Sequence, residues 1–192
     1  GLLTPAAPRA NARQCQAIVE GPMGEFHVLL KVPDGGQAVA LAATIRPGVA
    51  ADRLVVKGQR LSGYLDGRGG PISQFQIAEI PDDPMQRVRS AYSDGSVVLA
   101  KVVEVGELSA KVGLHPDVEI WLLGEITGPP LSRMIDAGDV VAVKIHADSD
   151  TLECRLPDTD ESPVPAVPVI PGGPPWLVPE DLIEDEEPAE AV

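Results

Sequence analysis

The chain of 192 residues carries 29 acidic against 15 basic side chains, a formal net charge of −14. Ten of the acids fall from Pro157 onward, where there is no Lys or Arg, so the body before it is only about −4. This balance argues against tight non-specific nucleic-acid binding, which rests on neutralised phosphates, but leaves room for a local basic face. Aromatic residues are 3% of the chain, while Gly (19) and Pro (20) are abundant. The apolar mass is therefore mostly Val, Ala, Leu and Ile, which favours strands and tight turns over a long-helix bundle.

Residues 1–13 are expected to be a loose leader, and 14–80 is strand-like. In "GEFHVLLKV" (24–32), Phe26, Val28, Leu30 and Val32 alternate with His27, Leu29 and Lys31. That period of two is the mark of a half-buried strand. "AVALAATI" (38–45) is a short apolar run, a Gly turn precedes "QRLSGYLD", and "QFQIAEI" closes the segment. The linker 81–95 places Pro84 in a first helical turn, with Asp83 as its cap and "SDG" as its stop. Segment 96–156 is again strand-rich: "SVVLAKVVEVG", "ELSAKVGL", "PDVEIWLLGEI", "VVAVKI" and "TLECRLP". Residues 157–192 hold nine of the 20 prolines and end in "PEDLIEDEEPAEAV". This composition predicts a disordered or extended acidic tail.

The two strand-rich segments repeat one order. "AIVEGPMGEFHVLLKVPDGGQAVALAATI" (17–45) runs parallel to "AKVVEVGELSAKVGLHPDVEIWLLGEI" (100–126), and each is followed by a loop, a Gly-led strand and a last strand. Five short strands in this order suit a small Greek-key OB-type barrel, so the expected fold is all-β with two tandem barrels.

The second copy resembles the RNA-binding repeat first named for ribosomal protein S-one. Val118 and Glu119 fit its "VE" turn, and Glu125 and Ile126 fit the strand end. Gly138, Asp139, Val141, Val143 and Lys144 fit its "GD.V.VKV" strand. The linker also resembles the short helix between tandem repeats of that family, with Met85 where a Trp would stand. The resemblance covers about 83–156 and reaches 14–80 only weakly. It implies single-stranded RNA binding, in translation or RNA turnover, by stacked aromatics with nearby Lys and Arg on phosphate. The second copy departs from the pattern: "VGELSAKV" has no aromatic, Leu123 or Gly124 replaces a His, and Ile120 replaces a Gly.

The candidate RNA contacts are accordingly Phe26, His27, Lys31, Lys101, Lys111, Lys144 and Arg155. The period of two equally suits Phe26 in the core and the basic residues as plain outward charges. Trp121 has three readings: core, a patch for a partner, or a base platform. With Leu123 it is a candidate partner surface, as are Trp176, Leu177, Leu182 and Ile183 among the prolines and acids of the tail. The alternative function is thus a protein-interaction module that kept the barrels and lost RNA reading. No phosphate loop, nucleophile elbow or metal-spaced cluster is present, so neither catalysis nor a cofactor is expected. Cys15 and Cys154 are expected to be buried thiols in a reducing, cytoplasmic compartment. No apolar run approaches the roughly 20 residues of a membrane span, and no signal sequence opens the chain. The chain begins with Gly rather than Met, as a processed form or a piece of a longer protein would.

Overall fold

The computed structural model describes residues 12–67, 72–78, 83–158 and 161–178. It divides into two compact units. Among the described residues, the first is built on those up to Ala91, with His115–Asp117 and Val167–Trp176, and the second on Tyr92–Leu114, those between Val118 and Ala166, and Leu177 with Val178.

In the first unit, β1 (Arg13–Met23), β2 (His27–Lys31), β3 (Gln37–Leu41), β4 (Arg60–Asp66) and β5 (Ser73–Ile77) close a barrel in the order β1-β2-β3-β5-β4. A short helix α1 (Ala42–Ile45) and a 3-10 turn (Ala51–Arg53) lie between β3 and β4. The apolar run 38–45 therefore divides into strand and helix. Alternation puts Val28, Leu30, Ala38, Ala40, Leu61 and Leu65 inside, all of them buried. Each larger one contributes about 1.5–3 kcal/mol through the water it gives up. Helix α2 (Pro84–Ala91) starts as expected, with the Asp83 carboxylate accepting from the Met85 N–H at 3.1 Å.

In the second unit, β6 (Val97–Val105), β7 (Ser109–His115), β8 (Val118–Leu123), β9 (Val140–Ala147) and β10 (Leu152–Arg155) close a second barrel, β6-β7-β8-β10-β9. Strand for strand this is the circular order of the first, so the fold is two tandem all-β barrels.

The repeat extends to single hydrogen bonds. Gly58 N–H donates to Val19 O and Val19 N–H to Gln59 O, both at 2.8 Å. In the second barrel Gly138 N–H donates to Val102 O at 2.7 Å and Val102 N–H to Asp139 O at 2.8 Å. Gly58 (φ 88°) and Gly138 (φ 97°) both take the left-handed turn that leads into the fourth strand of their barrel. The Gln59 side chain then accepts from Val56 N–H, as the Asp139 carboxylate accepts from Asp136 N–H. Ala42 N–H donates to Phe26 O, and Gly124 N–H to Leu108 O, again at 2.8 Å. Both first strands shift register at the matching place, between Val19 and Gly21 and between Val102 and Glu104.

The cores are filled differently. An ideal Cβ on Gly63 would lie 2.2 Å from Gln76 O and 2.5 Å from the Phe75 ring. The first barrel spends that space on Phe75. By register the second barrel places Val143 and Cys154 at the matching positions, a medium side chain beside a small one. Cys154 is buried there, and burial pushes its thiol up to about 12, leaving it inert; Cys15 is only half-buried.

The Pro-rich stretch is extended, but where described it is packed rather than free. In the second unit Val164 bridges Val98, its N–H donating to Val97 O, and Tyr92 Oη donates to Pro165 O. In the first unit the Arg87 guanidinium donates to Pro168 O and Val169 O at 2.6 and 3.0 Å, and Gln59 Nε2 to Pro171 O. Val169 and Ile170 belong to the core of that unit, with Trp176 packed against it. Prolines have little freedom to lose on ordering, and the Val and Ile between them supply the burial.

Candidate nucleic-acid interface

The outer face of the second barrel is set by three strands. On β8, Ile120 and Leu122 point inward and are buried, so Trp121 and Leu123 point outward. Trp121 is 51% exposed, which excludes the core reading. On β10, Glu153 faces Trp121 and Arg155 faces Leu123; on β9, His146 faces Glu153 and Lys144 faces Arg155. Two rows thus cross the face: Trp121, Glu153 and His146 in one, Leu123, Arg155 and Lys144 in the other.

Lys111, on β7, brings its Nζ to 5.3 Å from the centre of the Trp121 ring and 4.0 Å from Glu119 Oε2. The ammonium lies over one face of the indole, a geometry with a modest cation–π attraction. His146 Nδ1 lies 3.8 Å from Asp94. Among the described residues neither Lys144 nor Arg155 is held in an ion pair. Both border a groove of about 410 Å³ with Leu123, Met134, His146 and Leu156. Leu108, in the β6–β7 hairpin, is 60% exposed, and Ile126, in the loop after β8, is 91% exposed.

Of the residues expected to touch RNA, the structure therefore gathers Lys111, Lys144 and Arg155 on one face, with Trp121 and Leu123 between them. Lys101 is elsewhere, on β6 opposite Gly113 and Val140. Phe26, His27 and Lys31 belong to the first barrel. Phe26 falls in the turn before β2, so the strand alternation does not reach it and it is 69% exposed rather than core. His27 and Lys31 sit at opposite ends of β2, about 13 Å apart at the usual rise per residue. Trp176, half-buried, packs against the first core, and Leu177 is buried. Leu182 and Ile183 lie outside the described residues. His146 was not singled out by sequence, although the alternation of "VVAVKIHA" places it beside Lys144.

The first barrel has a corresponding face. On β4 and β5, Tyr64 faces Gln76 and Asp66 faces Gln74; Val39 faces Gln74 across the parallel pair β3–β5, and His27 faces Leu41. A groove of about 300 Å³ runs over them. Among the described residues no group of three or more His, Cys, Asp or Glu could hold a metal ion.

Fold and face together define a protein of two tandem OB-type barrels with a mixed aromatic and basic surface on the second. No protein-family model matches the chain, and no curated protein matches it. Among solved structures it is similar to a multidomain protein with nucleic acid binding domains from Streptococcus pneumoniae, at 16% identity and a TM-score of 0.29. That match covers 78% of this chain, which spans about half (53%) of the other.

Proposed function

We propose that the protein binds single-stranded RNA, without catalysis, through the outer face of the second barrel. The observation that carries this reading is Trp121, half exposed on a strand face, with Lys111 over its ring and Lys144 and Arg155 in the adjoining row. A base stacks on the indole, and the two cations outside ion pairs take the flanking phosphates. A role in translation or RNA turnover follows the S-one resemblance, and a cytoplasmic place follows the free thiols of Cys15 and Cys154.

The test is intrinsic fluorescence of the full chain titrated with short single-stranded RNA at low salt. RNA is expected to quench the Trp121 component, and Trp121→Ala to weaken binding about tenfold. Unchanged fluorescence and no measurable binding would sink the proposal. A second reading, a docking face for a protein, is favoured by exposed Leu108 and Ile126 and by Glu119 and Glu153 among the cations. Apolar docking there would persist at high salt, where RNA binding is lost.

A further inference from the structure

We propose that the groove on the first barrel is a second site, specific for a nucleobase rather than for phosphate. The inference rests on the reading of the protein as an RNA binder and assigns the division of labour within it. The register of the two barrels matches face position to face position. Where the second barrel has Lys144, His146 and Arg155, the first has Tyr64, Asp66 and Gln76, and Glu153 is replaced by Gln74. The two cations of the phosphate-binding row have thus become an aromatic ring and an amide, and His146 of the other row an acid, while the groove itself is kept.

Those replacements select a ligand class. Among the described residues that line this groove there is no Lys or Arg, so the phosphate backbone of a strand finds no cation here. Tyr64 and His27, both half-buried, offer ring faces beside the exposed apolar floor of Leu41. The exposed Gln74 adds an amide with donors and an acceptor, which matches the mixed donor and acceptor edge of a base, and Gln76 lines the groove beside it. An amide beside a ring-stacking slot favours the base whose edge it matches, since a wrong edge forgoes that hydrogen bond. The same chemistry serves a base in an RNA strand and a free nucleoside.

The experiment uses the full chain with four homopolymeric RNA 12-mers and, separately, the four free nucleosides. Anisotropy gives RNA affinity, and the side-chain amide resonances of Gln74 and Gln76 report occupancy of the groove. Tyr64→Ala is expected to weaken RNA binding about fivefold or more without changing its salt dependence, with Tyr64→Phe close to wild type. The double variant Gln74→Leu/Gln76→Leu is expected to reduce the affinity ratio between the best and worst homopolymer, again at constant salt dependence. Amide shifts with nucleosides, together with no RNA binding by anisotropy, would keep the groove as a nucleoside site and overturn the RNA reading. RNA binding that depends on Lys144 and Arg155 but is indifferent to these variants, with no nucleoside shifts, would overturn the base site and leave the RNA reading standing. Silence toward both ligands would overturn both.

Discussion

Replacing Lys144 and Arg155 together by Gln should remove the electrostatic part of RNA binding while leaving stacking in place. Both side chains are outward, face each other across β9 and β10, and border one groove, so the change touches no core residue. For single strands, each neutralised phosphate contributes about 0.7 to the slope of log affinity against log salt. Two lost contacts should therefore flatten the slope by about 1.4. Between 50 and 200 mM salt, a fourfold change, the wild type should lose about sevenfold more affinity than the variant. Lys111 is left out because Glu119, 4.0 Å away, already neutralises part of its charge. The assay is anisotropy of a labelled RNA 12-mer at five salt concentrations, with circular dichroism to confirm the fold. A variant that keeps the wild-type slope would refute the assignment of these two residues to phosphate, whatever its absolute affinity.

Three further outcomes test the fold. Gly63→Ala should destabilise the first barrel by about 2–3 kcal/mol in urea unfolding, since its Cβ meets the Gln76 carbonyl at 2.2 Å; a neutral effect would show that β5 yields freely. His115 is 3% exposed, and burial, with Arg87 and Arg46 adding, holds its imidazole down to about 4 from 6.5. Above pH 6.5 it is neutral folded or unfolded and contributes no pH dependence. As pH falls toward 4 only the unfolded chain takes the proton, so stability should drop by at most about 3 kcal/mol, and His115→Gln should flatten that slope. Equal slopes for the two proteins would exclude His115 as the group responsible. Ile170→Ala should cost about 2–4 kcal/mol in thermal or urea unfolding, where an unpacked tail would give no change.

Much of the fold was legible because period-two alternation, Gly turns and the repeat all pointed the same way. The strands, the Asp83 cap and the split of β8 into two alternating sets follow from local rules. Phe26 was not legible, because alternation says nothing about the residue at which a strand gives way to a turn. Trp121 could not be assigned by pattern either: in an apolar run of four, the face is decided by neighbours that sequence does not display. The packed Pro-rich stretch defeated composition, which counts its prolines and acids but not the Val and Ile that reach a core. The face itself was half visible. Lys144 carried a familiar motif and Arg155 stood out as a cation in an alternating strand, whereas His146, Tyr64, Gln74 and Gln76 gained meaning only when cross-strand register put them in rows.

Tandem repeats carry a hazard in folding, since a strand can insert into the wrong copy and trap the chain. The opposed fillings of the two barrels act against this. A β9 strand paired beside β5 would bring the Val143 side chain where Phe75 and the Gln76 carbonyl tolerate only bare backbone. The reverse exchange, β4 beside β10, would set Gly63 against Cys154 and leave a void. Two barrels that share a hydrogen-bond plan are thereby kept from exchanging parts, and each strand finds its own barrel by volume.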